Sequence, residues 1–371
     1  MTHEFPKIQT VIEQGMDRGL HLGCQLCVLH AGKTVIDLAV GEARPGEPLT
    51  PQHAMMWLSG GKPLTVVLLA QLWEQGKLDL DDPVARFLPE FAVHGKQGIT
   101  LRHILIHTAG LRQVDTGWPE VSWDETIQRI CAATPDPDSL PGQTPGYHPL
   151  STWFLLGEIL QRVEDRPYLE ILQTGLLDPL GMPHTSAVSE PTSPGQQPVE
   201  LAPLYERQQG TLVEIPWSQA PRASRLSPGS SLRGPVRDLA IFYETLRKPP
   251  AHLSNNRSQP VLQRPTIAAL TARHRVGEFD QTLMHAVDFG LGMIINSRRY
   301  GVDTVPYGYG RYASERTFGH GGAQCTQGYC DPENELVVAY AFNGRPGEGQ
   351  HQRRVRALND AIYEELGLAT D

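Results

Sequence analysis

The sequence contains no run of 18 apolar residues, so it offers no candidate for a membrane-spanning helix. Its N-terminal stretch carries scattered charges and no apolar segment, which predicts that no signal peptide is present. No lysine- or arginine-rich block occurs, and the formal net charge is −9 at pH 7. These absences argue against a nucleic-acid or membrane partner, and they predict a soluble protein in the reducing cytoplasm.

Cysteine is scarce, and its five positions are scattered through the 371 residues: Cys24, Cys27, Cys131, Cys325 and Cys330. An odd, scattered set in a long chain predicts no disulfide framework. Cys24 and Cys27 have the spacing of a metal-binding or redox pair, but no second pair of cysteines or histidines matches it. They also lie in an apolar stretch, residues 22–29, that is typical of a strand, and this favours two plain strand cysteines.

Several well-known motifs are missing as well. No Gly-x-Ser-x-Gly sequence occurs, which argues against an α/β-hydrolase. Neither a glycine-rich dinucleotide loop nor a Walker lysine is present, so no nucleotide is expected. His103 and His107 have the spacing of a helical metal pair, but no glutamate follows the first histidine, and core or hydrogen-bonding roles are favoured. The sequence therefore predicts neither a metal nor a cofactor.

The most informative stretch that is present runs from Ser59 to Lys62 and reads Ser-Gly-Gly-Lys. Apolar residues recur after it at three- and four-residue spacing, which predicts an amphipathic helix with one face in a core. If Ser59 begins this helix, Lys62 lies one turn away on the same face. An amine with a lowered pKa can then take the serine proton, and the positive helix N-terminus helps an oxyanion to form. The alternative is a plain capping serine followed by a surface lysine.

Five segments carry a family resemblance: residues 58–63, 71–84, 87–91, 99–111 and 178–182. The first reads Leu-Ser-Gly-Gly-Lys-Pro and the last reads Asp-Pro-Leu-Gly-Met. Together they resemble the serine β-lactamase and penicillin-binding-protein superfamily, and most closely the branch of class C β-lactamases and related esterases. The similarity covers nearly the whole chain. It implies an α+β fold of the β-lactamase/transpeptidase type, with an antiparallel sheet flanked by helices, an all-helical region, and an active site in the cleft between them.

The periodicity of the chain predicts the elements of such a fold. Helices are predicted from Ser59 onward and at residues 8–18, 100–110, 123–133, 150–163, 234–246, 266–273 and 351–366. Strands are predicted at residues 25–30, 34–40, 285–296, 316–320, 326–330 and 336–342. The polar, proline-rich residues 185–225 are predicted to form a long excursion. Strands at both ends predict a discontinuous α/β domain of residues 1–85 and 226–371, with residues 86–225 as a helical insertion.

The resemblance implies a second catalytic base, the tyrosine of a Tyr-x-Asn motif, and Tyr147 stands at the matching place. A phenol can act as a base only if its pKa is lowered, and a neighbouring lysine ammonium would lower it. The alternative is a loop tyrosine at a helix start. Pro149 replaces the asparagine whose amide binds the acylamino group of lactams, which counts against a true lactamase. Whether His148 substitutes for that asparagine is left open by the sequence.

The third family motif, Lys-Thr-Gly, is replaced here by His320, Gly321 and Gly322. By the resemblance, the backbone amides of Ala323 and Ser59 form the oxyanion hole, and the glycines let the backbone approach a ligand. A neutral imidazole is a poorer partner than an ammonium for the carboxylate of a lactam. The alternative is a glycine bulge within a strand.

These residues favour a serine hydrolase that acts on a carboxylic ester through an acyl-enzyme. If an amine or alcohol resolves the acyl-enzyme, the same residues give a biosynthetic acyltransferase. A β-lactamase or peptidase is the weaker enzyme hypothesis. A catalytically dead ligand-sensing module is the alternative from another class, and an intact Ser/Lys/Tyr set argues against it. The expected partner is a small-molecule ester or acyl substrate.

Overall fold

The computed structural model describes residues 5–187, 200–216, 226–248 and 261–370, and its strands form one large sheet and several small ones. The strands are β1 (Gly23–His30), β2 (Lys33–Arg44), β3 (Glu47–Pro48), β4 (Met55–Met56), β5 (Tyr205–Gln208), β6 (Thr211–Glu214), β7 (Arg233–Gly234), β8 (Phe279–Asp280), β9 (His285–Ala286), β10 (Ile294–Ile295), β11 (Phe318–Gly322), β12 (Thr326–Asp331), β13 (Leu336–Phe342) and β14 (Gly344–Arg345). The large sheet has seven strands in the order β10-β11-β12-β13-β1-β2-β3, and each neighbouring pair is antiparallel.

Helices cover both faces of this sheet. They are α1 (Pro6–Asp17), α2 (Lys62–Glu74), α3 (Leu101–Leu105), α4 (Trp123–Ala132), α5 (Ser151–Glu164), α6 (Tyr168–Leu172), α7 (Asp178–Leu180), α8 (Val236–Arg247), α9 (Arg264–Thr271) and α10 (Glu348–Glu365). The α+β fold of the β-lactamase/transpeptidase type is thereby confirmed. Its sheet joins strands from both ends of the chain, while the division into two domains stays a prediction. No helix in the described ranges is long and apolar enough to cross a bilayer.

The central strand β1 shows how the sheet is held between its two helical layers. Its side chains alternate in direction, so Cys24, Leu26 and Val28 pack in one core with α1 and α10. Cys27 and Leu29 point the other way, into the core that contains α8. Because both faces are covered, almost the whole strand is buried. The two nearby cysteines lie on opposite faces of a strand, as plain strand cysteines do, and that interpretation is confirmed.

Helix α2 is the element around which the two parts of the molecule meet. The prediction of one buried face is wrong, because every residue from Lys62 to Ala70 is buried. One side of α2 contacts β11 of the sheet, and another contacts α5 and α6 of the helical region. A helix that is apolar all round belongs in the interior of a large protein. A buried lysine at its first position is therefore exceptional and needs a partner.

Two further predictions are corrected by the structure. The predicted strand at residues 285–296 is wrong: it consists of the short strands β9 and β10 joined by a loop. Two residues of this loop explain the interruption. Buried Asp288 accepts hydrogen bonds from the Gly277 amide and the Tyr300 hydroxyl, which lie outside the loop, and Gly292 has a φ of 71°. Residues 185–225 contain the hairpin of β5 and β6, which pairs with β14 beside the main sheet. The remainder of that predicted excursion, residues 188–199 and 217–225, lies outside the described residues.

Candidate active site

Ser59 lies in a single 3₁₀ turn, Leu58–Gly61, that leads directly into α2. The prediction that Ser59 caps the helix is wrong, because α2 begins at Lys62 and no side chain caps it. The preceding residue, Leu58, has a φ of 48°, which a residue with a side chain seldom adopts. Gly61 is enclosed, since a Cβ there would come within 2.8 Å of the Leu232 side chain. The backbone around Ser59 is thus fixed by packing.

Lys62 is fully buried, so the alternative of a surface lysine is wrong. Its Nζ lies 2.9 Å from Ser59 Oγ, 2.8 Å from the Pro149 carbonyl oxygen and 2.8 Å from that of Gly229. Burial moves the pKa of this amine well below its usual value, because a low-dielectric interior disfavours the charged form.

If the lowered pKa leaves the amine neutral, its three contacts can be assigned. It has two N–H groups and one lone pair, and carbonyl oxygens can only accept hydrogen bonds. The two N–H groups of Lys62 are therefore donated to Pro149 and Gly229. The lone pair is left for the hydroxyl hydrogen of Ser59. This is the contact that a general base needs in order to activate a serine.

Aromatic rings complete the surroundings of the lysine. Its Nζ lies 5.0 Å from the centre of the Trp153 ring and 5.5 Å from that of Tyr147. Such ring faces attract a cation. They would stabilise the ammonium that forms when Lys62 takes the serine proton.

Tyr147 lines the same pocket as Ser59, and its hydroxyl is buried without a hydrogen-bond partner among the described residues. Burial raises the pKa of this phenol, and the Ser59 side chain counteracts only part of the effect. The prediction that this pKa is lowered is therefore wrong in direction, because the burial of the phenol outweighs the effects that favour its ionised form. A phenol with a raised pKa holds its proton. A protonated phenol at this place is a proton donor rather than a base, and the catalytic role of Tyr147 stays a prediction.

A buried ion pair holds the backbone of Tyr147 in place. The Tyr147 amide donates to Asp280 Oδ1 at 3.1 Å, and Thr282 Oγ1 donates to the Tyr147 carbonyl at 2.9 Å. Asp280 Oδ2 pairs with Arg275 Nη2 at 2.7 Å, and both side chains are fully buried. The sequence analysis missed this anchor because Asp280 lies 133 positions from Tyr147.

His148 is buried and packs against His107. It does not line the pocket onto which Ser59 opens, which is described below. Its Nδ1 lies 3.2 Å from His107 Nδ1, and its Nε2 accepts a hydrogen bond from the Leu111 amide. Burial lowers the pKa of His148 to about 3. Both ring nitrogens are thus engaged with the protein, so His148 does not replace the missing asparagine amide. The hydrogen-bonding roles predicted for His103 and His107 are confirmed, since His103 Nδ1 accepts from the Thr100 amide.

His320 lies on β11 with its ring buried beside the pocket. Its Nδ1 donates to the Gly321 carbonyl oxygen at 2.8 Å, so Nε2 carries the lone pair. Nε2 is buried and has no hydrogen-bond partner among the described residues. Burial, helped by nearby Lys62, lowers the pKa of this imidazole to about 3. The group that replaces the family's lysine is therefore a neutral hydrogen-bond acceptor.

The end of β11 packs directly against the turn of Ser59. A Cβ on Gly322 would come within 2.1 Å of the Trp57 carbonyl oxygen. Gly60 faces the same strand end, with 3.7 Å between its Cβ position and the Gly322 amide nitrogen. β11 pairs with β12 without a register shift, so the alternative of a glycine bulge is wrong. This close approach places Ala323, which follows Gly322, beside the serine turn, while its role in an oxyanion hole stays a prediction.

These residues open onto a pocket of about 490 Å³. Ser59, Tyr147, His320, Gly321 and Ala323 all line it, whereas Lys62 lies behind Ser59 in the interior. The other lining residues are Pro149, Thr282, Leu283, Ile294, Pro306, Tyr307, Glu348, Gly349 and Gln352. The last three come from α10, whose start was predicted three residues too late. Glu348 and Gly349 therefore lay outside the predicted helix, and no motif marked Gln352 as a pocket residue.

One group of side chains in the described ranges has the spacing of a metal site: Glu47, His53 and Glu200. The Thr50 amide donates to His53 Nδ1 at 3.0 Å, so the ring proton lies on Nε2. That nitrogen lies 3.5 Å from a Glu47 oxygen and 3.6 Å from a Glu200 oxygen. A metal would need Nε2 unprotonated, and the arrangement therefore fits hydrogen bonding between imidazole and carboxylates.

The antiparallel sheet between helices is that of the β-lactamase/transpeptidase fold, and Ser59 and Lys62 are in contact at its cleft. The family model described as Beta-lactamase matches residues 8–362. The chain belongs to the β-lactamase family.

Three known proteins illustrate what this chain is similar to. It is 28% identical over 160 residues to the esterase/β-lactamase LipL of Mycobacterium tuberculosis, a match that covers 43% of this chain and 37% of LipL. It therefore spans well under half the length of the first curated relatives it matches. Among solved structures, EstCE1, a hydrolase with promiscuous acyltransferase activity, superposes with a TM-score of 0.79 at 22% identity, covering 97% of this chain and 98% of the other. A family VIII carboxylesterase gives 0.76 at 21% identity, with the same coverage of both chains.

Proposed function

We propose that this protein is an esterase that cleaves small carboxylic esters through an acyl-enzyme on Ser59. The observation that carries the proposal is the contact between Ser59 Oγ and the buried amine of Lys62, whose pKa is lowered by burial. Such a pair activates a serine towards a carbonyl carbon without any other base. The neutral His320 and the missing amide at Pro149 favour an ester over a lactam that carries a carboxylate.

The proposed reaction proceeds in two steps. Ser59 Oγ attacks the ester carbonyl while its proton passes to Lys62, and the amides of Ser59 and Ala323 stabilise the oxyanion. The tetrahedral intermediate collapses as the alkoxide leaves with a proton from Tyr147, which is then restored from the Lys62 ammonium. Water attacks the acyl-enzyme in the second step and gives up a proton to Lys62. The resulting ammonium returns this proton to Ser59 Oγ as the acyl bond breaks, so that the carboxylic acid, the serine hydroxyl and the neutral amine are restored.

A comparison of substrates tests this proposal. Wild-type protein should hydrolyse p-nitrophenyl acetate or butyrate with a kcat/KM well above that for nitrocefin. Ser59→Ala should stay folded and lose covalent labelling by a fluorophosphonate. Nitrocefin turnover above that of the esters would restore a lactamase, and equal labelling of the Ser59→Ala variant would remove the mechanism.

Acyl transfer is the second candidate, and the size of the pocket favours it. A volume of about 490 Å³ holds more than a short acyl group, so an alcohol or amine can lie beside the acyl-enzyme. The acyltransferase activity printed for EstCE1 belongs to a protein of the same fold. Added alcohols should then divert a measurable share of p-nitrophenyl butyrate into a new ester. Labelling of Ser59 without hydrolysis of any ester would make transfer the main activity.

A further inference from the structure

The charge of the pocket identifies a class of substrate. Among the described residues that line it, Glu348 is the single one with a formal charge at neutral pH. Glu348 is the first residue of α10, and its side chain is exposed to solvent. The pocket therefore carries a net negative charge, in a protein whose own formal charge is −9. A carboxylate on the substrate would find no counter-ion here, whereas a cation would.

Tyr307 fixes this carboxylate relative to the catalytic strand. Its hydroxyl donates to both carboxylate oxygens of Glu348, at 3.1 and 3.2 Å, and Gln324 Nε2 donates to one of them at 3.2 Å. The Tyr307 ring lies against Gly321, where a Cβ would come within 2.5 Å of it. The Tyr307 amide is held by Gln352 Oε1 at 3.0 Å. Glu348 is thereby held at the wall that also carries His320.

His320 adds an unused acceptor to the same wall. Its Nε2 is buried, carries the lone pair and has no partner among the described residues. An acceptor left unpaired in an interior costs free energy, and a ligand with an N–H or O–H group removes that cost. A carboxylate offers no hydrogen to this nitrogen, while an ammonium offers three.

We propose that the pocket takes esters that carry a primary ammonium group, with Glu348 as the counter-ion and His320 Nε2 as a hydrogen-bond acceptor. This inference rests on the proposed esterase function and narrows its substrate class. The neutral amide of Gln352, whose Nε2 also lies unpaired, is a donor without charge and does not offset Glu348. A neutral ester is cleaved in the same pocket but gains neither the ion pair nor the hydrogen bond.

Three esters of one chain length separate the effect of charge from the effect of size. Methyl 6-aminohexanoate, methyl heptanoate and monomethyl pimelate end in an ammonium, a methyl group and a carboxylate, and methanol release reports the cleavage of each. For wild-type protein, kcat/KM should fall in that order. Glu348→Gln should lower the ratio of the ammonium ester to the neutral ester about fivefold, since the pair is partly exposed. Glu348→Lys should reverse the order of the two charged esters.

Glu333→Gln is the matched control, because it changes the net charge equally at an exposed turn outside the pocket. It should keep the wild-type ratio. An unchanged ratio in Glu348→Gln, or a wild-type preference for the carboxylate ester, would overturn the ammonium class while leaving the esterase intact. Failure of wild-type protein to cleave all three methyl esters and the p-nitrophenyl esters would overturn the proposed function, and this inference with it.

Discussion

Two lysines of this protein, Lys62 and Lys96, have fully buried side chains, and they differ in what their amines contact. Lys96 Nζ donates to the carbonyl oxygens of Cys131 and Ala133 at the end of α4, and it lies 5.2 Å from the centre of the Phe91 ring. Lys62 Nζ has two carbonyl partners and two aromatic rings as well. Its additional partner is a hydroxyl, that of Ser59.

The comparison separates burial from function. Burial lowers the pKa of both amines, but only for Lys62 is the shift large. A cation near the last carbonyls of a helix stabilises that helix, and this accounts for Lys96. A neutral amine beside a hydroxyl can accept its proton, and this is the role that we propose for Lys62 towards Ser59. We propose that a single neighbour, Ser59, makes Lys62 reactive where Lys96 is structural.

Removal of each amine in turn gives the largest expected contrast. Lys62→Ala should lower the rate of Ser59 acylation on the order of 10³-fold, because the activating base is lost. Lys96→Met should lower the free energy of unfolding by about 1–3 kcal/mol, since two carbonyl oxygens lose their donor, while acylation continues at the wild-type rate. Stopped-flow acylation and urea unfolding measure the two effects. A loss under about tenfold in Lys62→Ala would leave Lys62 without a catalytic role.

The pH dependence of stability should also set Lys62 apart. The unfolded chain binds a proton at this amine below pH 10.5, while the folded protein does not until its lowered pKa is reached. Folding therefore releases a proton in this range, so this group makes the protein less stable as the pH falls. Lys62→Met should be more stable than the wild-type protein at neutral pH. Its free energy of unfolding should also depend less on pH, by up to about 1.4 kcal/mol per pH unit. Urea unfolding between pH 7 and 10 measures it, and equal slopes in both proteins would show that Lys62 is charged when folded.

A smaller effect on catalysis is expected from the buried ion pair of Asp280 and Arg275, which holds the backbone of Tyr147. Asp280→Asn removes the charge that pairs with Arg275 and weakens the hold on the Tyr147 amide. We expect kcat to fall about tenfold with little change in KM, because the proton donor is displaced rather than removed. Asp331→Asn is the control, since Asp331 is equally buried and bonded to Ser314 and Tyr363, away from the pocket. An equal loss of kcat in both variants would mean that general destabilisation explains the effect.

The smallest effect is expected at His320. His320→Lys places an ammonium where the wild-type protein has a neutral acceptor, and nitrocefin turnover should improve a few-fold. Pro149 still offers no amide for the acylamino group, so the gain stays small. Nitrocefin hydrolysis, compared with that of p-nitrophenyl butyrate, measures the change. A loss of nitrocefin turnover relative to the ester would contradict this role of His320.

The sequence predicted the parts of the site that depend on local spacing. Ser59 and Lys62 are one turn apart, and any helical turn brings them together. Tyr147 and His320 were found from their motifs and positions in the family's order. Most strands of the sheet followed from their apolar patterns, since side chains alternate in direction along a strand, while the antiparallel arrangement was implied by the family resemblance.

Contacts between distant segments could not be predicted in this way. Lys62 has two carbonyl partners, those of Pro149 and Gly229, which lie 87 and 167 positions away in the sequence. If the amine is neutral, these two partners take its N–H groups and leave its lone pair for the serine. Their role is carried by backbone atoms, which every residue has, so no side-chain pattern marks them. The pKa of Tyr147 was predicted in the wrong direction for the same reason, because full burial of Lys62 and Tyr147 is a property of the packed structure.

The protonation state of Lys62 is the central claim, and the NMR titration of its side chain tests it most directly. In protein labelled with ¹³C-lysine, the Cε resonance that disappears in Lys62→Met belongs to Lys62. It should show the chemical shift of a neutral amine at pH 7, while exposed lysines titrate near their ordinary pKa of about 10.4. A Lys62 resonance that has the shift of an ammonium at pH 7 and titrates with the exposed lysines would contradict the account.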